Sequence, residues 1–202
     1  MKMKKVIKIG AWYIAAMMII CIALMSVVII SCKKNSDDPI EILKERIESA
    51  KMKEYVDSVH GAKLSYPDFF LVDTSNVYGD VRFYYSDKNV KELSLDLSYC
   101  SPRLYENTDK IVGLYESDSR YVCLEKKKRS CIMKGKDGQN SEYIYIIKYS
   151  KRDYWWFVCT LVYEPQYESS VKRLIKMVKN WESMPNEDGL IWLSDICDFF
   201  DI

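Results

Sequence analysis

Twenty consecutive residues, Ala11 to Ile30, carry no charge. Four lysines precede them (Lys2, Lys4, Lys5, Lys8), and an unbroken polar run, Ser31 to Asp38, follows. Such a run cannot be part of a small water-soluble core without an equally large apolar partner. Its length, about 20 residues, is that of a bilayer-spanning helix. A basic n-region ahead of an apolar stretch is also the build of a secretory signal peptide. The chain is therefore expected to act at a membrane, either through a retained N-terminal span or after export and cleavage.

The border itself separates these readings. Ile29-Ile30-Ser31-Cys32 resembles the lipobox of bacterial lipoproteins: an aliphatic residue, a tolerated residue, a small residue and the acceptor cysteine. The resemblance implies that Cys32 is diacylated and becomes the first residue of the mature chain. One acyl chain holds a protein marginally, whereas two or more give stable anchoring at about 0.8 kcal/mol per buried methylene. The expected organisation is a signal peptide over 1–31, a lipidated polar tether over 32–38 and one globular domain over 39–202. Lys33 after the cysteine is not the aspartate associated with inner-membrane retention, so a periplasmic or surface face of the outer membrane is the expected location.

Cleavage before Cys32 leaves 171 residues, enough for one domain with a real core. With the four lysines gone, 26 basic residues face 29 acidic ones. That balance gives no electrostatic footprint for nucleic acid. Sixteen tyrosines and five tryptophans against seven glycines and five prolines favour a strand-rich, packed domain over disorder.

Hydrophobic periodicity supplies the elements. Asp38 can cap a helix with Pro39 at its first position. Leu43, Ile47, Val56 and Val59 then extend the helical pattern to about Val59, where Gly61 can end it. Strands are expected at 62–67, 69–72, 81–86, 90–99, 111–116, 120–125, 130–134, 142–150 and 154–164. In the fourth, Leu93, Leu95, Leu97 and Tyr99 alternate with Glu92, Ser94, Asp96 and Ser98, the mark of a half-exposed antiparallel strand. Val171, Leu174, Ile175, Val178 and Trp181 lie at helical spacing, with Lys172, Arg173, Lys176 and Lys179 opposite. The apolar tail 189–202 is expected to pack back as a short helix. The sum is α+β: an antiparallel meander, about six or seven of these nine segments pairing as its strands, flanked by an N-terminal and a C-terminal helix.

Tyr66-Pro67-Asp68-Phe69-Phe70, the paired strands, and Val162-Tyr163-Glu164-Pro165 leading into the final helix resemble the PsbP/Mog1-like fold over roughly residues 62–182. That resemblance implies an α/β/α sandwich working as a binding or assembly module. It carries no shared catalytic set onto these positions.

Residue chemistry points the same way. Five cysteines follow Cys32: Cys100, Cys123, Cys131, Cys159 and Cys197. No CxxC occurs and His60 is the sole histidine, so neither a zinc site nor a Cys/His dyad is expected. Cys123 and Cys131 flank Lys127 symmetrically, so a hairpin there can pair them as a disulfide; two inert core thiols are the alternative. The tip Lys126-Lys127-Lys128-Arg129 reads as a charged hairpin end with some capacity for anionic headgroups. Expected overall is a lipid-anchored, non-catalytic envelope module without cofactor or metal. It touches the membrane through its lipid and a protein partner not identified by sequence. Binding and neutralising a toxin or hydrolase is the alternative job, and hydrolysis the more remote one.

Overall fold

The computed structural model describes residues 17–22, 25, 38–57, 60–75, 80–100, 106–116, 118–136, 142–152 and 155–182. Cys32, Cys197 and the 189–202 tail lie outside them. The chain divides into two units, residues 1–42 and residues 43–202. In the first, residues 17–22 are helical. Among the described residues no helix is long and apolar enough to cross a membrane.

Helix α1 spans Pro39–Ser49. Its start follows from the sequence: Asp38 Oδ1 accepts the Ile40 amide at 2.9 Å, the capping bond that offsets an orphan N–H. The expected extension to Val59 is incorrect. The chain leaves the helix after Ser49 and forms a two-stranded hairpin, β1 (Met52–Val56) against β2 (Lys63–Pro67). The reason is tertiary. Arg173 Nη1 donates to the carbonyls of Ile47 (2.6 Å), Glu48 (2.9 Å) and Ala50 (3.1 Å), taking up C-terminal carbonyls that a longer helix would have used.

The main sheet has seven strands, all antiparallel, in the order β3-β4-β5-β9-β8-β7-β6. They are β3 (Leu71–Asp73), β4 (Val81–Tyr84), β5 (Leu93–Cys100), β6 (Val122–Lys127), β7 (Ser130–Lys136), β8 (Ile144–Arg152) and β9 (Trp155–Tyr163). This is two meanders, not one. After β5 the chain crosses to the far edge and returns strand by strand until β9 pairs with β5. The crossing carries α2 (Thr108–Glu116), which corrects the strand expected over 111–116. Asn107 Oδ1 accepts the Lys110 amide at 3.0 Å and its carbonyl the Ile111 amide. That N-cap was legible in Asn107-Thr108-Asp109. Ile111 and Val112 are buried on the sheet with Cys131, Met133, Ile147 and Trp156.

The opposite face carries α3 (Lys172–Asn180), entered through a 3-10 turn at Pro165–Tyr167. Register puts Phe83, Leu95, Leu161 and Ile146 in one row across four strands. All are essentially inaccessible, as are Leu174 and Val178 of α3. The α+β class with flanking helices therefore holds, and the missed helix supplies the second outer layer. Gly135, one residue past the strand expected over 130–134, lies within β7. A Cβ there would overlap the Tyr121 ring, so the ring covers bare backbone in place of a cross-strand side chain.

Candidate functional site

The β4–β5 turn is built locally and then braced from afar. Asp87 Oδ1 accepts the Asn89 amide at 2.9 Å, an Asx turn that sets the chain reversal. Glu164, buried just before Pro165, accepts the Lys91 amide at 2.8 Å, and Tyr167 donates its hydroxyl to the Asn89 carbonyl at 2.6 Å. Glu164 and Tyr167, on either side of Pro165, thus fix this hairpin.

Beside it lies a recess of about 470 Å³, lined among others by Asp73, Arg82, Tyr84, Tyr85, Asp87 and Glu92. Arg82 is its centre. The guanidinium contacts Glu92 directly, reaches Ser94 Oγ at 3.3 Å and lies 3.6 Å from Asp96 Oδ1. Asp96 Oδ1 is inaccessible and has no hydrogen-bond partner. Burial pushes the Asp96 carboxyl up to about 6, against the pull of Arg82. Asp73 and Asp87 go the other way. Ser75 hydrogen bonds hold the first below the usual carboxylate range, and the Asn89 amide does the same for the second.

Tyr85 links the recess to α1. Its hydroxyl donates to Asp87 Oδ2 at 3.2 Å and accepts from Arg46 Nη1 at 3.1 Å. Arg46 also lies over Phe69 at 4.6 Å, a cation–π contact that orients the guanidinium. The result is a recess lined by three carboxylates (Asp73, Asp87, Glu92) and two cations (Arg82, Lys91), rimmed by phenol rings, on a braced hairpin. Chemically it suits a polar ligand that carries hydrogen-bond donors or a cation.

The residues singled out from sequence are distributed differently. His60 sits in the β1–β2 loop, not at a helix end. Its Nδ1 lies 2.8 Å from Asp57 Oδ2, which also accepts the Tyr99 hydroxyl. The imidazole stacks on Tyr99 at 4.0 Å and meets Trp155 edge-on. Asp57 is only 6 % exposed; burial, with that hydrogen bond, pushes the Tyr99 phenol far up. Gly61 holds φ 69°, and Arg152 Nη1 donates to its carbonyl at 3.1 Å, so the tight loop needs glycine there.

Cys123 and Cys131 are both free. The hairpin sets Cys123 against Met133 and Cys131 against Lys126, with an irregularity between Cys123 and Glu125. The two thiols are therefore not opposite one another, and burial pushes Cys131 up to about 12. Cys100 and Cys159 are also free thiols, and burial raises both. Of the hairpin tip, Lys126 pairs with Asp109 and Lys127 with Glu125. Among the described residues no group of three or more His, Cys, Asp or Glu could hold a metal. Sequence reasoning placed Glu92 and Asp96 on the polar face of one strand by their period-two spacing and singled out no role for Arg82 on the neighbouring strand.

No family model matches the chain, and no curated protein does. Two solved structures share its outline. A cyanobacterial PsbP (CyanoP) from Synechocystis sp. PCC 6803 is 15 % identical, with a TM-score of 0.43, over 64 % of this chain and 90 % of its own. The protein of unknown function PA94 from Pseudomonas aeruginosa is 14 % identical with the same TM-score, over 66 % and 98 %. The first is PsbP-like, the group the sequence resembles.

Proposed function

We propose that this is a lipid-anchored cell-envelope protein whose folded domain is a non-catalytic binding or assembly module. The observation that carries the reading is the segment Ile29-Ile30-Ser31-Cys32 at the end of twenty uncharged residues. Diacylation at Cys32 supplies anchoring that a single chain does not. The domain beyond it offers the braced recess around Arg82 as its ligand-facing feature.

Several ionisable groups that could serve chemistry are engaged in holding the fold. Asp57 ties His60 to Tyr99, Arg173 takes the α1 carbonyls, and Lys148 Nζ donates to the Lys179 carbonyl at the end of α3. These contacts support a binding role over turnover.

The test is site-specific photo-crosslinking in intact envelopes of the producing cell. A photoreactive residue at Tyr84, in the recess, is expected to trap one discrete adduct. The same residue at exposed Lys53 is expected to trap none. Equal or absent crosslinking at both positions contradicts the recess as the binding surface.

A further inference from the structure

The fold brings together two basic features that lie some fifty residues apart in sequence. Helix α3, KRLIKMVKN, has four basic residues and no acid. Leu174 and Val178 are buried and Arg173 is spent on α1. Lys172, Lys176 and Lys179 remain exposed, spaced so that they form one stripe. Lys148, beneath the helix, donates to the Lys179 carbonyl at 3.3 Å. Register sets Lys148 beside Ile132 and Ile132 beside Glu125. The C-terminal end of α3 therefore lies over the row Lys148-Ile132-Glu125, three residues before the hairpin tip, where Lys128 and Arg129 are exposed. Lys172, Lys176, Lys128 and Arg129 form no ion pair among the described residues, whereas Lys126 and Lys127 are paired at 2.7 and 2.5 Å.

We infer that the lysine stripe of α3 and the tip Lys128-Arg129 form a basic belt that docks on anionic phospholipid headgroups of the membrane carrying the anchor. The inference rests on the lipid-anchor reading above. Lysines on flexible stems act as point charges, suited to phosphates spread over a plane, and each contributes about 1 kcal/mol near an anionic surface.

Reach and geometry agree. Seven residues, 32–38, extend to about 25 Å at most. The eleven residues of α1 add about 16 Å; Arg173 joins the end of that helix to the start of α3, whose nine residues cover about 14 Å. A belt tethered within that reach meets the surface at raised effective concentration, so weak contacts suffice. The hairpin tip and the recess around Arg82 of β4 lie toward opposite edges of the seven-stranded sheet, four to five strand spacings or about 19–24 Å apart. Docking by the belt leaves the recess, with Asp73, Asp87 and Glu92, turned away from like-charged lipid.

The experiment uses the full chain, purified with its native modification and reconstituted into vesicles. One set is phosphatidylcholine alone; the other contains about 30 % phosphatidylglycerol. Lysine acylation by a water-soluble ester is followed by mass spectrometry. Acylation of Lys172, Lys176 and Lys128 is expected to slow at least threefold on the anionic vesicles and to recover at about 0.5 M salt. Lys53 and Lys91 are expected to react alike on both. The quadruple variant Lys172→Gln, Lys176→Gln, Lys128→Gln, Arg129→Gln is expected to remove the salt-sensitive protection of the remaining Lys179. Equal rates on both vesicles, or slowing shared by Lys53 and Lys91, overturn the belt. Intact mass at Cys32 reports the anchor separately. If no lipid is found there, flotation of the chain with anionic but not neutral vesicles still decides the belt, and its absence overturns it.

Discussion

Arg173→Met is the sharpest single perturbation of the fold. Methionine keeps an apolar stem of similar length but removes a cation that donates to three carbonyls, at 2.6, 2.9 and 3.1 Å. Losing hydrogen bonds from a charged donor typically costs about 1.5–3 kcal/mol. The favourable placement of a cation at a helix C-terminus adds about 0.3–1 kcal/mol at exposed sites. Arg173 is half-buried, so water replaces part of the loss, and a net destabilisation of about 2 kcal/mol is expected. For a domain of this size that corresponds to about 4–8 °C in Tm. Lys176→Met, three residues along on the exposed stripe, is expected to change stability by about 0.5 kcal/mol or less. Urea and thermal unfolding of the intact chain in detergent, followed by tryptophan fluorescence, compare the two. Trp181 reports directly, because its indole N–H donates to the Lys63 carbonyl at 2.7 Å. Equal midpoints for the two variants refute the argument that Arg173 ends α1.

Leu174→Asp buries a charge between α3 and the sheet, where Leu174 is wholly inaccessible, and is expected to unfold the domain; Lys176→Asp is expected to leave circular dichroism and Tm nearly unchanged. Asp96 gives a pH signature. Its folded carboxyl is raised from 3.8 to about 6, so the folded state binds the proton more tightly and stability falls as pH rises through that window. Asp96→Asn is expected to flatten that slope and to gain about 1 kcal/mol at pH 7 after allowing for solvent screening. Urea midpoints between pH 4 and pH 8 check it; an unchanged slope contradicts the assignment.

The main sheet was legible because its strands obey a local rule. Leu93, Leu95 and Leu97 alternate with polar residues whatever the rest of the chain does, and β9 is apolar enough to be central. Helix α3 was legible for the same reason, through Leu174 and Val178. What escaped a local reading depends on contacts distant in sequence. The end of α1 is set by Arg173, over 120 residues away, so Val56 and Val59 falsely prolonged the helix. The strand expected over 111–116 failed because Ile111, Val112 and Leu114 suit either period; the Asn107 cap was the deciding signal. Glu92 and Asp96 looked like a solvated face because alternation tells which residues share a side, not that Arg82 of the next strand meets them there. His60 was placed at a helix end, and the loop that ties it to Asp57 and Tyr99 exists only once β1 pairs with β2.

The claim on which the account turns is the lipid at Cys32. Metabolic labelling with an alkyne fatty acid, followed by intact mass of the purified chain, measures it directly. The expected result is a chain that begins at Cys32, carries the diacylglyceryl group and takes up label, with Cys32→Ala unlabelled and uncut. A Cys32→Ala chain that still labels, or a native chain retaining residues 1–31 without lipid, contradicts it.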